Sequence, residues 1–183
     1  MRWEGLFADL EGQLAAEERR ELDDEVAERT RRERALVTLC ARLEAAVGGD
    51  VRLGLLDGRR VNGDLEDLGD GWLLVRGRVG GRELLVPTAS VVTVTALASH
   101  AEPGRPARRF GLGYALRALS RDRATVAVSL VGGGAAVVGT IDAVGADHLD
   151  VAEHAEGVPR RRENVTAVTT LPFGAVVAVE ARR

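Results

Sequence analysis

Glycine placement divides this sequence into two unlike parts. Only Gly5 and Gly12 precede Gly48, while the other 20 of the 22 glycines and all five prolines lie from Gly48 onward. Glycine inside a helix costs roughly 0.5–1 kcal/mol relative to alanine, but it serves tight turns and sharp bends. The first quarter therefore reads as helix and the remainder as short strands joined by turns. A chain of 183 residues with 45% apolar content suits one domain or two small ones. Aromatic residues make up only 3%, so the core must be built from Val, Leu and Ala.

In the first quarter, Trp3, Phe7, Leu10 and Leu14 recur at helical spacing, Leu22 and Val26 continue the pattern, and Leu36, Cys40, Leu43 and Val47 resume it. The segment Glu17 to Arg34 is heavily charged and has a thin apolar face. The expectation is two helices, or a kink, with the break near residues 16–20; one long helix with an exposed middle is the other reading. Leu22 and Val26 suit a narrow seam against a partner helix. Together with Leu36 and Cys40 they are the candidate partner-docking residues.

From Val51 the apolar period changes to two, and short β-prone runs alternate with Gly-rich turns, the signature of a small sandwich or barrel. Residues 98–109 read as a polar linker. Leu112, Ala115, Leu116 and Leu119 mark a short helix ending near Arg121, and strand patterning returns at Thr125. The expected organisation is a helical segment over 1–47, a first strand-rich domain over 48–97, the linker 98–109, and a short helix plus second strand-rich domain over 110–183. An extra C-terminal strand is expected at 173–181.

The two strand-rich parts repeat each other at an offset of 76 residues. Gly63 maps onto Gly139, Gly69 onto Gly145, and Trp72 onto His148. The first copy carries Leu53, Gly58, Gly63, Leu65, Leu68 and Trp72. The second carries Leu130, Gly134, Gly139, Ile141, Val144 and His148. An apolar pair spaced by three follows, read as Val91 with Val94 and as Val165 with Val168. This pattern resembles the Sm-like small β-barrels, which include the Hfq-like RNA chaperones of bacteria. The resemblance implies an α+β, mainly β fold: an N-terminal helical segment, then two tandem five-stranded Sm-like (SH3-like) barrels, each preceded by a helix. It also implies pairing of strands four and five between neighbouring barrels. The family's RNA-reading residues are largely replaced. Gly69 and Gly145 stand where an Asp is usual, and Asp147 is displaced from that position. Thr88 with Ala89, and Arg162 with Glu163, stand at the polar pair of the second motif.

Chemistry-bearing residues are sparse. The chain holds 28 acidic and 25 basic residues, every basic one an arginine, with a net charge of -3. That balance disfavours non-specific coating of a polyanion. The candidate RNA contacts are Arg59, Arg60, Trp72, Arg76, His148, Arg160, Arg161 and Arg162, since arginine forks onto phosphate and a ring stacks on a base. The stretch Asp147 to His154 reads as a polar edge strand rather than a metal site. No nucleophile–base pairing is recognisable, so no enzyme activity, catalytic residue, metal or cofactor is expected. A single cysteine excludes an internal disulfide, and the opening residues are charged rather than secretory in character. The expected setting is cytoplasmic, without membrane or DNA. The expected role is protein interaction or self-association, with RNA as the second candidate partner.

Overall fold

The computed structural model describes residues 2–95, 97–98 and 107–182. It divides into two compact units, Met1–Leu39 and Cys40–Arg183.

The first unit is one continuous helix, α1 (Arg2–Ala35), which corrects the expected break near residues 16–20. The charged middle contains no glycine or proline. It is laced by ion pairs one turn apart: Arg29 to Glu33 at 3.2 Å, Arg32 to Glu28 at 3.3 Å and Arg31 to Glu28 at 3.6 Å. Each such pair contributes about 0.2–0.5 kcal/mol to a helix. The chain leaves helix at residues 36–38 and re-enters it as α2 (Leu39–Ala45). Leu14, Leu22, Val26 and Leu36 are exposed. The side chains of Trp3, Phe7 and Leu10 lie outside the described set.

The second unit is mainly β. Its strands are β1 (Asp50–Leu55), β2 (Arg60–Asp70), β3 (Trp72–Gly77), β4 (Glu83–Pro87), β5 (Val91–Thr95) and β6 (Arg108–Gly111). A short helix follows, α3 (Leu112–Arg121), and then β7 (Thr125–Leu130), β8 (Val137–Val144), β9 (His148–Glu153), β10 (Ala167–Pro172) and β11 (Val176–Arg182). Residues 99–106 of the expected linker lie outside the described residues. The 11 strands form one open sheet in the order β10-β9-β8-β7-β11-β4-β3-β2-β1-β5, with β6 pairing β2 in parallel and every other pairing antiparallel. Helices α2 and α3 precede the two strand sets, as expected.

The sheet contains the same arrangement twice. Strands β1 to β5 lie in the order five-one-two-three-four, and β7 to β11 do the same. The 76-residue offset holds in detail. Register shifts interrupt β2 between Leu65 and Asp67, and β8 between Ile141 and Ala143. A Cβ at Gly63 would overlap the Arg76 carbonyl, and one at Gly139 the Ala152 carbonyl. Both glycines therefore mark a bend where two backbones approach too closely for any side chain.

The offset changes after the third strand. The β3–β4 connection spans 5 residues and the β9–β10 connection spans 13. Pro87 and Pro172 end the fourth strands, a single 3-10 turn follows each (Thr88–Ser90 and Phe173–Ala175), and the fifth strands open at Val91 and Val176. Val91 and Val94 thus correspond to Val176 and Val179, which corrects the pairing with Val165 and Val168. The C-terminal segment is the fifth strand of the second set and not an extra one. Arg162 and Glu163 lie in the longer β9–β10 loop, so they do not correspond to Thr88 and Ala89.

The two sets join at β4 and β11, where Leu85 faces Val179 and Leu84 faces Glu180. Leu84, Val86, Val177 and Ala178 belong to one core with Leu43, Val51, Leu53, Leu65 and Val75. Leu85, Val176 and Val179 belong to a second core with Trp72, Leu116, Val126, Ile141 and Leu149. The junction strands therefore feed both cores. A buried hydrogen bond from Ser90 Oγ to the Val176 carbonyl, at 2.7 Å, ties the first set's 3-10 turn to β11.

Candidate functional site

The polar chemistry of the strands is largely self-satisfied. His154 is buried, with Nδ1 3.0 Å from the Ala155 carbonyl and Nε2 2.8 Å from Thr140 Oγ1. A carbonyl only accepts, so Nδ1 donates, and Nε2 shares its hydrogen bond with the Thr140 hydroxyl. His148 Nδ1 lies 2.8 Å from Asp147 Oδ1, and this hydrogen bond holds the Asp147 carboxyl below its ordinary range. The two histidines serve separate partners. Among the described residues no His, Cys, Asp and Glu converge as a metal-binding group.

The arginines proposed as RNA contacts are mostly engaged. Arg59 Nε lies 2.5 Å from Asp57, whose side chain is largely buried in the β1–β2 turn. Arg76 on β3 reaches Glu66 at 2.6 Å and Glu83 at 3.5 Å across the neighbouring strands. Arg160 forks onto Asp142, with Nε at 2.8 Å and a terminal nitrogen at 2.5 Å. Arg161 lies 4.0 Å from Glu163. Arg60 and Arg162 are exposed and make no ion pair among the described residues. Trp72 is only 4% exposed, and its indole N–H donates to the Phe110 carbonyl at 2.9 Å. A ring this deeply buried offers no face to a base, which removes Trp72 from the candidate contacts. His148 is half-buried, and a Cβ at Gly145 would overlap its ring, as one at Gly69 would overlap Trp72. The Asp57–Arg59 pair was signalled by the turn sequence Asp-Gly-Arg. The Arg76 pairs depend on strand register and had no local signal.

Two sheet edges are unpaired among the described residues. β5 pairs only with β1, and β10 only with β9. They are the fifth strand of the first set and the fourth strand of the second, the complements of the β11 and β4 joined inside the chain. Val177, at the second position of β11, is 0% exposed, whereas Val92, at the same position of β5, is 60% exposed. Val168 on β10 is 59% exposed. The remaining polar residues of β10 are tied down: Thr170 Oγ1 donates to Asp150 at 2.6 Å, and Thr169 Oγ1 donates to Glu153. Val92 has no distinguishing signal in the sequence, and Val168 is marked there only as half of an apolar pair and not as an exposed edge residue.

Of the partner-docking residues, Leu22, Val26 and Leu36 are exposed on or just after α1. Cys40 is also exposed, and partial burial followed by the Glu44 carboxylate pushes its thiol above the usual value. Among the described residues, no helix is long and apolar enough to cross a membrane. Comparison with protein-family models and with curated proteins finds no match to this chain.

Proposed function

We propose that the chain is a non-enzymatic scaffold, built on two tandem Sm-like barrels, which associates with further copies of itself by edge-to-edge strand pairing. The single observation that carries this reading is the β4–β11 junction. It joins a fourth strand to a fifth strand within the chain and leaves the complementary pair, β5 and β10, unpaired at opposite ends of the sheet among the described residues. Repeating the junction between chains places Val94 opposite Thr170 and covers Val92 as Val177 is covered. Such a contact is heterologous, so it propagates head to tail, giving a ring where the rotation between chains closes and an open filament where it does not. The recurrent strand order and the 3-10 turn between strands four and five support the Sm-like assignment.

Sedimentation velocity across a micromolar concentration series tests the proposal. The expected mass exceeds the 19.5 kDa of one chain and rises with concentration. Val92→Lys is expected to weaken association about tenfold or more, because a charge replaces an apolar side chain that the new seam would cover as Val177 is covered. Val168→Lys lies opposite the far end of β5 in that register and is expected to weaken association less. A monomeric mass throughout overturns self-association. A mass reduced only by Leu22→Glu with Val26→Glu assigns it to α1 instead.

RNA binding through an Arg-lined surface is the second reading, favoured by Arg60 and Arg162 alone. Fluorescence anisotropy with a short uridine-rich RNA separates the two. The scaffold reading expects no saturable binding at micromolar protein and low salt, whereas binding that weakens as salt rises supports RNA contact.

A further inference from the structure

The chain contains six aromatic residues, two Trp, one Tyr and three Phe. Three of them, Trp72, Phe110 and Tyr114, line one hollow of about 280 Å3 beside the β4–β11 junction. Trp72 and Phe110 stack at 5.9 Å between centroids, and Phe110 meets Tyr114 at 4.4 Å. Leu85 and Val179 belong to the floor, and α3 contributes the small side chains of Ala115 and Ala118, which leave the space open. Tyr114 is 49% exposed at its mouth.

The charges at this hollow do not balance. Asp67, Glu83 and Asp122 line it against a single guanidinium, that of Arg108. Arg108 pairs with Asp67 and lies over the Phe110 ring at 5.7 Å, so that cation is already satisfied. The nearest cation to Glu83 is Arg76 at 3.5 Å, and Arg76 lies closer to Glu66. Asp122 makes no ion pair among the described residues. An apolar, aromatic-walled space with two under-neutralised carboxylates favours an occupant that is apolar in body and positive at one end. Its volume lies near the small end of the range of about 300–1,000 Å3 typical of ligand sites, which suits a small molecule rather than a peptide.

We infer that this hollow is a binding site for a small organic cation, an arylalkyl- or alkylammonium. Its apolar body would lie along Phe110, Tyr114 and Ala118, and its ammonium would face Glu83 and Asp122. The inference is independent of self-association, since neither β5 nor β10 lines the hollow.

Isothermal titration calorimetry of the full chain with phenethylammonium, phenethyl alcohol and phenylacetate tests it. Phenethylammonium is expected to bind saturably, the isosteric alcohol about tenfold more weakly for want of a charge-assisted hydrogen bond, and the carboxylate not at all. Glu83→Gln combined with Asp122→Asn is expected to reduce the amine to the affinity of the alcohol. Ala118→Leu, a filling substitution at an exposed helix position, is expected to abolish binding of both while the melting temperature is retained. Equal affinity for amine and alcohol overturns the cationic assignment. Absence of saturable binding up to millimolar amine, or binding unchanged by Ala118→Leu, overturns the site. Loss of self-association in Ala118→Leu without any amine binding gives the hollow to a second copy of the chain and also overturns the inference.

Discussion

Replacing Gly139 with alanine is expected to destabilise the Cys40–Arg183 unit by at least about 3 kcal/mol, the upper part of the range for overpacked sites. The added methyl would overlap the Ala152 carbonyl, with the Glu153 Cα at 2.9 Å. These are backbone atoms of the neighbouring strand, so no rotamer change relieves the contact, and β8 and β9 must separate. Gly63→Ala should behave alike, because the Arg76 carbonyl lies in the same relation to it, with a Val75 side-chain methyl also close. Gly174→Ala is the control: nothing lies within 4 Å of its added Cβ, and its stability should change little. Urea unfolding with a common slope measures all three. A loss under about 1 kcal/mol for Gly139→Ala would show that the strands adjust cheaply and that the bend does not require glycine.

Trp72→Ala is expected to cost about 3–5 kcal/mol, the range for deleting a large buried aromatic. Trp72 begins β3 of the first set, yet its side chain packs in the core of the second set with Leu116, Val126 and Ile141. The substitution opens a cavity there, ends the stack on Phe110 and leaves the Phe110 carbonyl without its indole donor. Trp72→Phe keeps much of the volume and loses the donor, so it should cost about 1–2 kcal/mol. Urea unfolding followed by far-UV circular dichroism gives both values without relying on the deleted fluorophore. A cost for Trp72→Ala no larger than that of Trp72→Phe would mean that the core collapses around the gap and that the indole is not a keystone between the sets.

The repeat was legible because glycines at bends cannot be exchanged. Gly63 and Gly139, and Gly69 and Gly145, carry the 76-residue offset through β2 and β3 and their counterparts β8 and β9. Beyond β3 no such marker remains, and valine alternation fits several registers equally well. Valine spacing alone therefore pairs Val91 with Val165, 74 residues on, and leaves β11 as surplus. Only the length of the β9–β10 connection reveals Val176 as the true counterpart. The continuity of α1 was obscured for a different reason. A thin apolar stripe says nothing about helix persistence when the stability comes from Glu–Arg pairs one turn apart. The engagement of Arg76 was hidden because Glu66 and Glu83 become its neighbours only once three strands are in register. The aromatic hollow was hidden as well: Trp72 and Phe110 meet across 38 positions of sequence.

The β4–β11 junction also has a bearing on synthesis. Leu84 and Leu85 emerge from the ribosome long before Val179 and Glu180, the residues that cover them. Until then a nascent first set presents an apolar strand edge, a template for pairing with whatever strand is nearest. On a crowded polysome the nearest fitting strand is a β5 or β11 from a neighbouring chain. The order in which the strands are made thus sets a race between closure within a chain and exchange between chains, and the length of the intervening segment governs its outcome.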